Sequence, residues 1–118
     1  VKGNLGLLFM RVLEPLRVMV ECHVHIISGY RCPELNDHVG GSRSSQHMTG
    51  QAADFIVDDF SVNEVCQLIA DHFPFDQVIS EFGEWTHVSY CADRHRGEKW
   101  LYTRVDGQVV KKQVDRFV

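Results

Sequence analysis

The sequence predicts an α+β domain built on an antiparallel sheet with flanking helices. Three observations lead there. Helical and strand-like segments come in blocks instead of strict alternation. The C-terminal third reads as consecutive strands with a hairpin signal. The 118 residues are 44% hydrophobic and 24% charged, enough to close one core, since chains of this size bury roughly two thirds of their unfolded surface. Residues 1–118 are therefore expected to form a single domain, with no internal repeat and no linker.

Residues 4–21 place Leu5, Leu8, Phe9, Val12, Leu13, Leu16 and Val20 at three- and four-residue steps, the stripe of an amphipathic helix. Pro15 sits inside that stripe and is expected to kink or divide the helix, because it lacks a donor and clashes with the preceding turn. Residues 23–28 (HVHIIS) alternate and are β-branched, which suits a strand ending at Gly29. Pro33 suits the first position of a short helix over 33–39, ended by Gly40 and Gly41. The Gly- and Ser-rich stretch 40–50 reads as a loop, and residues 51–57 (QAADFIV) read as a strand. Ser61 and Glu64 form a capping box. The helix they open runs to about His72, and Pro74 closes it. Strands are expected over 77–82, 85–90 and 99–105. Asp106-Gly107 signals a hairpin that turns 108–114 back.

Charge and composition exclude several classes. A net charge of −4 and a pI near 5.9 argue against a general polyanion binder, because nucleic-acid affinity comes from Lys and Arg that displace counterions. No stretch approaches the roughly 18 apolar residues of a membrane span. Nothing has the form of a signal peptide, so any export signal is expected outside this sequence. The four cysteines, without a C-x-x-C pair, read as free and mostly buried thiols.

Seven histidines are the unusual feature. His47 and Asp54 lie seven residues apart with Gly50 between them, and Asp54 falls mid-strand among apolar residues. A carboxylate there is costly unless it is paired or binds a metal. His87 sits in the middle of a later strand. Two imidazoles and one carboxylate make a catalytic zinc set, because three protein ligands leave a fourth position for water. Glu84, three residues before His87, is a candidate general base. Spacing alone equally fits a carboxylate paired with Arg and a satisfied core histidine.

The order of motifs adds to this reading. Ser28-Gly29-Tyr30-Arg31-Cys32-Pro33-Glu34-Leu35-Asn36 comes first, then Gly40-Gly41-Ser42. Ser45-Gln46-His47-Met48-Thr49-Gly50-Gln51-Ala52-Ala53-Asp54 and Glu84-Trp85-Thr86-His87-Val88-Ser89 follow. Together they closely resemble the M15 zinc peptidases, with the patterns S-G-Y-R, S-x-H-x-x-G-x-A-x-D and E-x-x-H. That group includes D-alanyl-D-alanine carboxypeptidases and dipeptidases and phage L-alanyl-D-glutamate endolysins. The resemblance covers about 13–90, and several motifs in order are far more specific than one.

The resemblance implies the hedgehog/DD-peptidase fold, zinc on His47, Asp54 and His87, and Glu84 as catalytic base. It implies Arg31 at the developing oxyanion or substrate carbonyl and Ser45 as a substrate-orienting residue. The implied activity is cleavage of an amide bond in peptidoglycan stem peptides, of the D-alanyl-D-alanine carboxypeptidase type. An endolysin-type L-alanyl-D-glutamate cleavage and a non-catalytic zinc-containing wall-binding domain are the alternatives. In a regular strand Glu84 and His87 would face opposite ways, so Glu84 is expected in the turn after Gly83. Family members usually carry residues before the first matched helix, so part of the groove is expected to lie upstream of Val1. The strands after Tyr90 either complete the sheet or mediate a dimer. His23, His25, His38, His72 and His95 are expected to be solvated, Cys32 to bind no metal, and Arg43, Arg94, Arg96 and Lys99 to form a solvated basic scatter.

Overall fold

The structure, a computed structural model, describes residues 2–41 and 45–118. Ser42 of the glycine-rich motif and Arg43 of the basic scatter lie outside the described residues, as does Val1. Helix α1 (Lys2–Leu8) leads through a π-helical stretch (Phe9–Leu13) into α2 (Glu14–Val20). The expected break at Pro15 is thus absorbed without dividing the helix. Pro15 occupies the first turn of α2, where its missing donor costs least, and the wider register ends just before it with the Glu14 N–H on the Phe9 carbonyl. Glu21, at φ 53°, ends the helix in the left-handed region.

Strand β1 (Val24–Ser28), helix α3 (Pro33–His38), a 3₁₀ turn (Gln46–Thr49), β2 (Ala52–Val57) and helix α4 (Val62–His72) follow. Both halves of the capping box form at α4. The Glu64 N–H donates to Ser61 Oγ at 3.1 Å, and the Ser61 N–H donates to Glu64 Oε1 at 2.9 Å. Strands β3 (Gln77–Glu81), β4 (Trp85–Ser89), β5 (Glu98–Val105) and β6 (Gln108–Gln113) complete the chain. Asp106 and Gly107 take positive φ, 51° and 79°, as a tight hairpin between right-twisted strands requires.

The strands lie in the order β1-β2-β4-β3-β5-β6. The expectation of a purely antiparallel sheet is corrected at one pair, because β3 and β5 run parallel. The reason is the connection. β4 is flanked by β2 and β3, so β5 must join a free edge of the sheet, and it takes that of β3, the nearer one. The short segment 90–97 delivers β5 beside Gln77, the start of β3, with Gln77 opposite Glu98. Residues 98–113 therefore extend the sheet.

One face of the sheet is the core. Ala53, Phe55 and Val57 of β2, Val78 of β3 and Val88 of β4 pack with Leu8, Val12, Leu13, Leu16 and Val20 of the N-terminal helices and Val65, Cys66 and Ile69 of α4. Burial pushes the Cys66 thiol up to about 12, so it behaves as a small hydrophobe. Strand alternation sends the intervening residues to the opposite face, where Asp54, His87, Ile79 and Glu81 line a cleft. Among the described residues, no helix is long and apolar enough to cross a membrane.

The cap supports α4, which backs the strands carrying the site. Ser61→Ala is expected to lower stability by about 1 kcal/mol, read as a reduced urea midpoint at constant m-value. An unchanged midpoint would show that the cap contributes nothing.

Candidate active site

The site is assembled from a short turn and three adjacent strands. Ser45 caps the 3₁₀ turn, its Oγ accepting the His47 N–H and Arg31 Nη2–H, each at 3.2 Å. The Arg31 N–H donates to the His47 carbonyl at 2.9 Å, tying the S-G-Y-R segment to this turn. Gly50 reverses the chain at φ 75°, a conformation that favours glycine, and β2 begins two residues later. Asp54 is then aligned with His87 across the β2–β4 pair, and His87 with Ile79 across β4–β3. A register irregularity between Ile26 and Ser28 of β1 lies beside Asp54.

His47 is 1% exposed, and its Nδ1 lies 2.7 Å from the Gly29 carbonyl. A carbonyl only accepts, so Nδ1 carries a proton, and Nε2 is the nitrogen turned toward the site. Asp54 Oδ1 lies 3.3 Å from that nitrogen and 2.8 Å from His87 Nδ1. The two rings meet edge-on, their centroids 5.2 Å apart. Burial opposes charge on Asp54, but hydrogen bonds and charge from His47 and His87 outweigh it and hold the carboxyl well below the usual range. An acceptor lone pair facing a carboxylate is relieved only by a proton or a cation between them. The ligand atoms of His47, Asp54 and His87 lie within 4.8 Å of one another, and among the described residues no other His, Cys, Asp and Glu group could hold a metal ion. The donor set fits one.

Glu84 is not brought to this cluster. It lies in the turn, as expected, but its carboxylate pairs with Arg104 at 2.9 Å, both side chains more than half exposed. Arg104 is itself fixed 3.8 Å above the Phe82 ring. The glutamate at the site is Glu81, with Oε1 3.8 Å from His87 Nδ1. Burial pushes its carboxyl up, the His87 charge pulls it down, and Asp54 raises it again. The sequence held a signal for Glu81. A hairpin centred on Gly83 pairs Glu81 with Trp85 and Ile79 with His87, putting Glu81 on the His87 face by alternation. E-x-x-H spacing alone selects Glu84, on the far side of that turn, paired with Arg104.

Arg31 joins Ser45 at the cleft, and its Nε is buried without a hydrogen-bond partner among the described residues. Such a donor is available to an incoming oxygen.

The Peptidase M15 pattern matches residues 4–89. The chain belongs to the peptidase M15 family. No curated protein matches the chain. The family match ends just before the cleft's second wall, where a solvated basic scatter is expected. In this M15 chain, Arg94 and Arg96 line the cleft instead. Asp76, fully buried, organises them. It accepts from Arg96 Nε and Nη2 at 2.8 Å each and from Gln46 Nε2 at 2.8 Å. Burial raises its pKa, but the Arg96 hydrogen bonds and charge with Gln46 bring it down to about 2. His25 pairs with Asp58 at 2.9 Å on the surface, stacked near His23. His95 packs on Tyr90. The cysteines are free as expected, but the expectation that most are buried is corrected: Cys66 alone of the four is buried, Cys22 and Cys91 are half-buried and Cys32 is exposed.

Because Asp76 is depressed in the folded state, its stabilisation is complete above its unfolded value near 4 and is lost as pH falls through about 2. Asp76→Asn is expected to destabilise the protein at neutral pH and to flatten its stability decline across that acid window. Parallel pH profiles for the two proteins would contradict the assignment.

Proposed function

We propose that this protein is a zinc-dependent peptidase that hydrolyses an amide bond in peptidoglycan stem peptides, of the D-alanyl-D-alanine carboxypeptidase type. The observation that carries the proposal is the His47–Asp54–His87 donor set with Glu81 beside it in one cleft. Residues 1–118 would form one catalytic domain of the hedgehog/DD-peptidase kind, a reading supported by the family match together with the mixed sheet and its helical layer.

His47, Asp54 and His87 would hold the zinc. Bound there, zinc would supply a Lewis acid strong enough to let water ionise near neutral pH. Glu81 takes the base role given to Glu84 by spacing. Its Oε1 accepts a proton from the attacking water and returns it to the leaving amine, work favoured by a carboxyl whose pKa lies above the usual range. Arg31 donates to the substrate carbonyl oxygen as negative charge builds, where one well-placed donor is worth roughly 3–4 kcal/mol, and its fork cannot be matched by Lys. Ser45 holds both Arg31 and the His47 backbone, so its contribution is to orient them.

Two glutamate variants test the base assignment. Glu81→Gln is expected to keep one zinc per chain and lose roughly 10²–10⁴-fold in kcat on a stem peptide, whereas Glu84→Gln keeps wild-type turnover. The reverse pattern would return the role to Glu84. A zinc-loaded wild type that cleaves no stem peptide would overturn the peptidase reading, and mass spectrometry of the products names the bond cut.

A further inference from the structure

The cleft is unusual for an acidic chain. Among the described residues, four cations, Arg31, Arg94, Arg96 and Lys111, line it against two carboxylates, Asp54 and Glu81, although the protein carries −4 overall. Two of those cations are already committed. The Arg96 fork is spent on buried Asp76, and Arg31 is tied to Ser45 beside His47.

The other two are held in place without being neutralised. Arg94 reaches Asp76 Oδ2 only at 3.8 Å, with its side chain 60% exposed, and Asp76 is already matched by Arg96. The backbone around Arg94 is fixed, its N–H donating to the Cys91 carbonyl at 3.2 Å and the Arg96 N–H to Asp76 Oδ1 at 3.1 Å. Lys111 has no carboxylate partner among the described residues and rests 5.1 Å above the Tyr102 ring. Register ties it to the site, for Glu81 pairs with Tyr102 and Tyr102 with Lys111. Two strand spacings put the Lys111 backbone about 10 Å from that of Glu81, a gap its own side chain and one substrate residue can close. A positive excess over low-dielectric walls focuses its field on an incoming anion.

We propose that Arg94 and Lys111 form a specificity subsite for a free carboxylate carried by the peptide close to the scissile amide. Both residues lie in the C-terminal wall of the cleft, beyond the family match, which ends at residue 89. The inference rests on the peptidase reading above. Two substrates carry the required chemistry, a peptide ending in D-alanyl-D-alanine through its terminal carboxylate and an L-alanyl-D-glutamate peptide through its glutamate.

The test uses zinc-loaded full chain and both peptides, each as the free acid and with its carboxylates amidated. Binding is measured by calorimetry on Glu81→Gln, and KM and kcat on the active protein. Arg94→Gln and Lys111→Met are each expected to raise Kd and KM for a free acid roughly tenfold, with little change in kcat and unchanged zinc content. Amidated peptides should bind weakly and be indifferent to both substitutions. Lys112→Met, which removes the same charge outside the cleft, should have no effect. The acid that responds identifies the carboxylate recognised. Equal binding of acid and amide by the unsubstituted background, or variants that weaken both alike, would overturn the subsite while leaving the peptidase reading intact. Carboxylate-dependent, variant-sensitive binding without any hydrolysis would uphold the subsite and sink the peptidase reading.

Discussion

Asp54 occupies the middle of a strand whose neighbours Ala53 and Phe55 are buried in the core. A carboxylate in that position is tolerated because two imidazoles converge on it, one from the 3₁₀ turn and one from β4. Each of those rings depends on a different part of the chain. His47 is oriented by the Gly29 carbonyl and by Ser45, and through Ser45 by Arg31. His87 is aligned by the β2–β4 register. Sliding that register by one residue would send His87 to the core face and bring Thr86 or Val88 out. The apolar packing of α4 and the N-terminal helices against the opposite face therefore fixes the site as well as the fold.

Asp76 is the second buried carboxylate, and it acts differently. It is fully enclosed and satisfied by Arg96 and Gln46. Removing one partner from such a group leaves an uncompensated charge in a dry place. Since Gln46 precedes His47 and Arg96 belongs to the segment leading into β5, this contact joins the His47 side of the cleft to its cationic wall. The two halves of the cleft, one inside the family match and one outside it, meet at a single carboxylate.

Much of this was legible from local chemistry. The Ser61–Glu64 box, Pro33 at a helix start and Asp106-Gly107 at a hairpin act over a few residues, and each formed as read. His47, Asp54 and His87 were legible because turn glycine, strand alternation and motif order pointed the same way. What sequence spacing missed depended on which element lay beside which. The parallel β3–β5 pair follows from β4 being flanked on both sides. Glu81 and not Glu84 lies beside His87 because hairpin register, not residue count, decides which carboxylate faces that ring. Arg96 reads as a surface charge because its partner, Asp76, is distant in sequence and gives no local sign of burial.

The central claim is a metal centre made of nitrogen and oxygen donors from His47, Asp54 and His87. X-ray absorption at the zinc edge of the loaded protein tests it most directly. The account predicts a shell of N and O ligands at about 2.0–2.2 Å with the outer-shell pattern of two imidazoles. A sulfur shell near 2.3 Å, which Cys32 or Cys91 would have to supply, would contradict it.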